Sequence, residues 1–473
     1  MEESLPTDRF VTALRRRLGA EGVLDAPERI ARFMVEQRGR YPGQGRVVAR
    51  PRSTEEVADT VRLCQQHRVA IVPQSGNTGT VGGASPRHAG ELLLSLERLH
   101  RIRQMDAEDG LLTAEAGCTL SDLQQTAEEA GWFLPLSLAS EQQCRLGGNL
   151  ATNAGGLNVL RYGMARRMTL GIEVVLSDGR VWSDLRGLSK DNSGYDLRDL
   201  FIGSEGTLGI ITAATLRLAP QPRNRRVALI AMENVATALP LLRLAQSECG
   251  DAVSAAELMS QTALGMARLL PDTPENPLPT APWYLLLELA TPDPRADLDE
   301  ALQAGLLQFQ EAGAIRDAVV APTGAAARRL WQLRTAIPEG QKRAGASIKH
   351  DISIRPGQIA AFIPAALAAV EQACPGARPC IFGHVGDGNL HFNVSQPETM
   401  SAETFDHHLD SLNRAVHDEV HRFAGSVAAE HGVGQLKRAE VLRYADPVHT
   451  ELMRRIRQAL DPEGLLNPGK GAT

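Results

Sequence analysis

Gly147-Gly148-Asn149-Leu150-Ala151-Thr152-Asn153-Ala154-Gly155-Gly156 is the stretch on which the fold turns. Its side chains are almost all small, so its backbone can lie flush against a flat ligand. Arg161-Tyr162-Gly163 follows it. Upstream, Gln74-Ser75-Gly76-Asn77-Thr78-Gly79-Thr80-Val81-Gly82-Gly83 is a second loop, with four glycines. Glycine lets successive backbone N–H groups turn toward one point, where an anion is the natural guest. No Gly-Lys-Ser/Thr follows, so this is not a Walker A loop, and G-x-G-x-x-G is absent from it. A nicotinamide-binding reading therefore has no support. Residues 76–209 hold 20 of the 43 glycines. Two such loops in one domain point to a large phosphate-bearing cofactor with a planar ring.

The surroundings give these loops a frame. Residues 54–67 read as a capped amphipathic helix, and 70–73 as a short strand leading into the first loop. Strands are expected at 92–96, 112–116 and 172–176, with a helix near 119–130. Asp178-Gly179 marks a hairpin turn into Arg180-Val181-Trp182. After Pro220 the pattern changes. Strands at 225–232 and 283–289 precede helical stretches near 234–248 and 296–312. Five prolines make 271–282 an irregular loop. Strand at 347–354, helix at 357–373, a hairpin over 380–394 and a helix near 403–423 follow. The tail from Asp461 to Lys470 is turn chemistry.

At 473 residues the chain exceeds one ordinary core. A net charge of −6 argues against nucleic acid as a main partner. No run of 18 apolar residues suggests a transmembrane helix. The first 20 residues lack a signal-peptide core, and Glu2, Glu3 and Asp8 are unlike a transit peptide. Six cysteines without a CxxC pair favour buried thiols in a reducing compartment, so a cytoplasmic location is expected.

Histidine is unevenly distributed: nine of twelve lie in the last 124 residues. The informative segment is Phe382-Gly383-His384-Val385-Gly386-Asp387-Gly388-Asn389-Leu390-His391-Phe392-Asn393. Closed by a two-residue Asp387-Gly388 turn, it sets His384 directly opposite His391, with Asn393 on the same face. Two such imidazoles can share a divalent metal. Glu430 is a candidate third ligand, and His431 beside it a candidate general base. Two histidines and a carboxylate leave positions open for the hydroxyl and carboxylate of a hydroxy acid. Such an anion needs cations, and Arg334 and Lys349 are the candidates. The pair His417 and His421, at i and i+4, reads as a solvated helix face, as does His407-His408.

Pro73 to Gly83, Gly147 to Gly163 and Gly203-Ser204-Glu205-Gly206-Thr207-Leu208-Gly209-Ile210-Ile211-Thr212 resemble the FAD-binding domain of the vanillyl-alcohol-oxidase/PCMH superfamily. The resemblance implies that the loop 76–80, with Gly76, Asn77, Thr78 and Gly79, meets the pyrophosphate, and that Pro73 and Ser75 also belong to the cofactor site. Gly147, Gly148, Asn149, Thr152, Asn153, Gly155, Gly156, Glu205, Gly206, Ile210 and Ile211 would line the isoalloxazine and adenine parts, and Tyr162, Gly163, Pro135 and Asn467 complete the cofactor site. His67 and His88 lie outside the first loop and Cys144 reads as a packed thiol, so dissociable FAD is expected. The implied fold is α+β. A two-subdomain PCMH-type FAD-binding domain over 1–220 precedes an α+β substrate (cap) domain with an antiparallel sheet over 221–423. A segment over 424–473 returns to the flavin.

With the hairpin added, the chain resembles the FAD-dependent D-2-hydroxy-acid dehydrogenases, those acting on 2-hydroxyglutarate and D-lactate among them. The resemblance implies zinc held by His384, His391 and Glu430. It implies substrate held by Arg334, Lys349 and Asn393, and proton removal by His431. One departure is Pro338, where hydroxyglutarate enzymes have a threonine four residues after the arginine. That leaves D-lactate, D-malate or another D-2-hydroxy acid open. An electron-transferring flavoprotein or a quinone would take the electrons, and a homodimer is possible. The flavin subunit of a glycolate-oxidase-type complex, an alcohol or sugar oxidase, an ether-lipid synthase and a sensor without turnover stay as alternatives.

Overall fold

Ser53 accepts a hydrogen bond from the Glu56 N–H and starts the helix Thr54–His67, whose Val57, Val61 and Cys64 are fully buried. That helix delivers the chain to the strand Ile71–Gln74, the edge of a four-stranded sheet. The sheet runs Val23–Leu24, Val47–Ala49, Leu92–Ser95, Ile71–Gln74, and its last two neighbours are parallel. A five-stranded antiparallel sheet follows in the order Ile102–Asp106, Leu111–Glu115, Ile210–Arg217, Thr169–Val175, Val181–Asp184. The two sheets match the two-subdomain expectation. The computed structural model describes residues 6–472, so Glu2 and Glu3 of the leader argument lie outside the described residues.

The chain forms two compact units. One holds the residues up to Gly156, then Gly163–Gln221, and takes back Glu430 onward. The other is Leu157–Tyr162 with Pro222–Ala429. Its sheet runs Ile315–Val320, Asn224–Met232, Trp283–Thr291, Val253–Ser260, Arg378–His384, Asn389–Ser395, Ser347–Ile348, and Asp351–Ser353 also pairs with Asn389–Ser395. Every pairing in it is antiparallel. Its helices include Ala238–Cys249, Leu298–Glu311 and Ile359–Ala373. Among the described residues no helix is long and apolar enough to cross a membrane.

Several local expectations need correction. The stretch 403–423 is two helices, Ala402–Asp406 and Leu409–Arg422. The strand at 347–354 is broken between Ile348 and Asp351. His417 is buried, not solvated, and its ring stands edge-on to the buried His350 at 5.2 Å. His421 is exposed as expected. All six cysteines are unpaired, and burial pushes the Cys144 thiol up.

Candidate active site

The glycine loops come together in the first unit. A Cβ on Gly76 would meet the backbone of Gln143, Cys144 and Arg145 at 2.7–2.9 Å, so only glycine lets the loops approach this closely. The Ser75 hydroxyl donates to the Ala116 carbonyl at 2.9 Å, and the Gly147 N–H donates to the same oxygen at 2.8 Å. Asn77 takes a positive φ of 53° and its side chain reaches the Val35 carbonyl. Gly79 faces open space. Among the described residues, no backbone N–H of Gly76, Asn77, Thr78 or Gly79 is found donating to a protein acceptor. An array of unspent amides beside open space fits a pyrophosphate.

The small-residue stretch begins as a short helix, Leu146–Ala151, which the sequence reading did not assign. The Thr152 hydroxyl donates back to the Gly148 carbonyl. Asn149 is buried, with its amide 3.6 Å from the Cys144 sulfur. Asn153, at φ 48°, accepts from the Arg166 N–H. Gly156 bridges Ser137 at φ 97°, following Gly155, and Gly163 has φ 80°. Pro135 is buried nearby in sequence. Gly206, at φ 71°, packs on Pro73, and Ile210 and Ile211 open the strand Ile210–Arg217. Tyr162 belongs to the second unit, next to the Arg161 guanidinium.

Glu205 and Asn467 lock the loops together. The Glu205 carboxylate accepts from the Val433 and Gly434 N–H groups at 2.9 and 2.8 Å. Burial still raises its carboxyl above the usual range. The Asn467 amide donates to the Gly83 and Glu205 carbonyls at 3.1 and 2.7 Å. Its side-chain oxygen accepts from the buried Lys470 ammonium at 2.9 Å.

In the second unit the histidine hairpin has a different register from the one expected. Phe382 pairs with His391, and His384 with Asn389. The turn is four residues, because the Val385 N–H donates to Ala256 on the neighbouring strand. Gly388, at φ 88°, closes the turn with its N–H on the His384 carbonyl. The shift is two residues, so His384, His391 and Asn393 still share a face. The two imidazoles are diagonal neighbours with ring centroids 5.9 Å apart.

Ligand atoms of His384, His391 and Glu430 all lie within 4.8 Å of one another. Glu430 is one peptide bond from Ala429, whose N–H is held by the Asp351 carbonyl at 3.4 Å. His431 has its Nε2 3.6 Å from a Glu430 oxygen. The donor set is the chemistry a catalytic divalent ion requires. Nδ1 of His384 sits 2.5 Å from Glu257, so a metal here would take Nε2.

Two buried residues that sequence reasoning missed bond to the candidate anchors Arg334 and Lys349. Glu257 is fully buried and also accepts from Arg334 Nε at 2.6 Å. Burial alone would raise its carboxyl, but His384 and Arg334 hold it at about 2. Arg334 also stacks over Phe382 at 4.6 Å. Gln341 is the second hub. Its amide oxygen accepts from Lys349 and, at 3.0 Å, from Asn393, while its NH2 donates to Ser395. Glu257 lies on a strand, and Gln341 on a helix, that the sequence reading left unassigned.

Residues 45–184 match a family model described as FAD binding domain, and residues 221–471 match FAD linked oxidases, C-terminal domain. The chain is 38% identical to the mitochondrial D-2-hydroxyglutarate dehydrogenase of Bos taurus, over 99% of this chain and 84% of that protein. It is 35% identical to the D-2-hydroxyglutarate dehydrogenase of Xanthomonas citri pv. viticola, over 98% of this chain and 97% of that one. Among solved structures, p-cresol methylhydroxylase with bound substrate is similar in fold, with a TM-score of 0.77 at 19% identity, covering 98% of this chain and 96% of that chain.

Proposed function

This chain belongs to the FAD-dependent D-2-hydroxy-acid dehydrogenases within the FAD-linked oxidases, and from that premise we propose that D-2-hydroxyglutarate or a shorter D-2-hydroxy acid is oxidised with the help of a divalent metal. The observation that carries the metal reading is the approach of His384, His391 and Glu430 donor atoms to within 4.8 Å. Held by His384, His391 and Glu430, a divalent metal would supply Lewis acidity toward the substrate hydroxyl, and FAD would supply the two-electron acceptor for the oxidation. Arg334 and Lys349 hold substrate carboxylate, with Asn393 oriented beside them by Gln341. The Nε–H of Arg334 is spent on Glu257, so the terminal NH2 groups would meet the carboxylate. His431 takes the hydroxyl proton at Nε2. The loop 75–79 and the residues 147–156 hold FAD non-covalently. An electron-transferring flavoprotein or a quinone would be the onward electron acceptor.

Pro338 at the start of the helix Ile337–Arg343 supplies no hydroxyl donor, which favours a substrate with a shorter or less polar tail as the second reading. Anaerobic mixing with D- and L-2-hydroxyglutarate, D-malate and D-lactate tests both. A D-acid is expected to bleach the flavin, its L-enantiomer to leave it oxidised, and a chelator to slow the bleaching at least tenfold. Flavin that stays oxidised with every D-acid would overturn the assignment, and indifference to chelator would overturn the metal.

A further inference from the structure

Glu257 stands directly across the sheet from His384, on the strand Val253–Ser260, and is fully buried. Its two oxygens do two jobs: one meets His384 Nδ1 at 2.5 Å, the other Arg334 Nε at 2.6 Å. The cluster closes on itself through Phe382, which lies under the Arg334 guanidinium at 4.6 Å and 4.8 Å from the His391 ring. A metal-binding imidazole needs its other nitrogen protonated and its ring plane fixed. A guanidinium that forks a carboxylate needs its plane fixed as well.

We propose that Glu257 is a positioning residue that sets the His384 tautomer and the Arg334 plane together, so that metal affinity and substrate anchoring are coupled through one buried carboxylate. This rests on the metal reading above. The chemistry needs a carboxylate. A glutamine of the same shape offers one acceptor oxygen and one NH2, so it cannot accept from both donors. If its NH2 faces His384, Nδ1 must accept, the proton moves to Nε2, and that nitrogen no longer ligates. If its NH2 faces Arg334, two donors oppose each other and the guanidinium turns away.

The test compares wild type, Glu257→Gln and Glu257→Asp, each stripped and then titrated with Zn2+ against a competing chelator, with FAD content as the control for folding. Glu257→Gln is expected to weaken Zn2+ binding roughly 10–100-fold. It should also raise KM for the D-acid while FAD content stays at the wild-type ratio. Glu257→Asp keeps two acceptors and should recover part of both. Zn2+ affinity of Glu257→Gln within twofold of wild type, or equal losses in the Gln and Asp variants, would overturn the proposal. Wild type that takes up no stoichiometric Zn2+ would instead overturn the metal reading, and this inference with it.

A measurement on the unmutated chain guards against variants that fail to fold. With 15N-labelled histidine, and His384→Gln to assign the signal, the proton is expected on Nδ1 and the Zn2+-induced shift on Nε2. The reverse pattern overturns the proposal.

Discussion

Two buried charges lie close together near the C-terminus and respond oppositely to pH. Lys470 is fully buried, with its ammonium on the Asn467 oxygen. Burial lowers its pKa from 10.5 to about 8, against the pull of Glu91 and Glu205 and with the push of Arg87. Its folded pKa is below its unfolded one, so between about 8 and 10.5 the unfolded chain binds more protons and stability rises with pH. Glu205 runs the other way. Its raised folded pKa means stability falls as pH climbs from 4.5 through that value. Comparing wild type with Lys470→Met by urea unfolding isolates the lysine. From pH 7 to pH 10 wild type is expected to gain about 2–3 kcal/mol on the variant. A constant difference across that range would contradict the buried, depressed amine.

At the scale of elements, the hairpin carries the site and is sensitive at one glycine. A Cβ on Gly388, at φ 88°, would sit 2.0 Å from the Ile354 carbonyl oxygen. Gly388→Ala is expected to destabilise the chain by about 2–4 kcal/mol, from left-handed strain plus a clash with backbone that cannot yield. Gly265, inside the helix Gln261–Ala267, has nothing within 4 Å of its Cβ, so Gly265→Ala should be neutral or stabilising by up to about 1 kcal/mol. Thermal unfolding of both variants reads the contrast, and equal effects would refute it. The same hairpin shows what the sequence could carry. The face of His384, His391 and Asn393 was legible because side chains alternate, and a two-residue slip preserves that parity. The register was not, since it depends on Val385 pairing with Ala256 of another strand. That strand, Val253–Ser260, was itself hidden. Ala255-Ala256-Glu257-Leu258-Met259 has weak strand preference and no alternation, because every residue of its strand is buried, on both faces of the sheet. Glu257 was therefore invisible as a partner of Arg334. The glycine loops were legible because their chemistry is local.

At the scale of the whole chain, the last 44 residues belong to the unit that the first 156 began, and the reason is hydrogen bonding. Ile71 donates to the Leu465 carbonyl at 2.8 Å and accepts from the Asn467 N–H at 2.8 Å, so the tail pairs beside the start of the strand that feeds the first glycine loop. Gln435 reaches the Gly82 carbonyl at 2.7 Å, and Asn467 ties the Gly83 and Glu205 carbonyls. A chain ending at Ala429 would strip the Glu205 carboxylate of both amide donors while part of its burial persists. Leaving such a group unsatisfied costs about 1–3 kcal/mol or more for a charge. It would also uncover Ile71, which is fully buried. Every strand of the second unit lies before Ala429, so its sheet keeps all of its hydrogen-bonded neighbours. The truncated chain is therefore expected to retain strand signal by far-UV circular dichroism but to purify with little or no FAD. It should also lose tight Zn2+ binding, because Glu430 goes with the tail. A full flavin complement on the truncated chain would show that the glycine loops hold their shape without the returning segment.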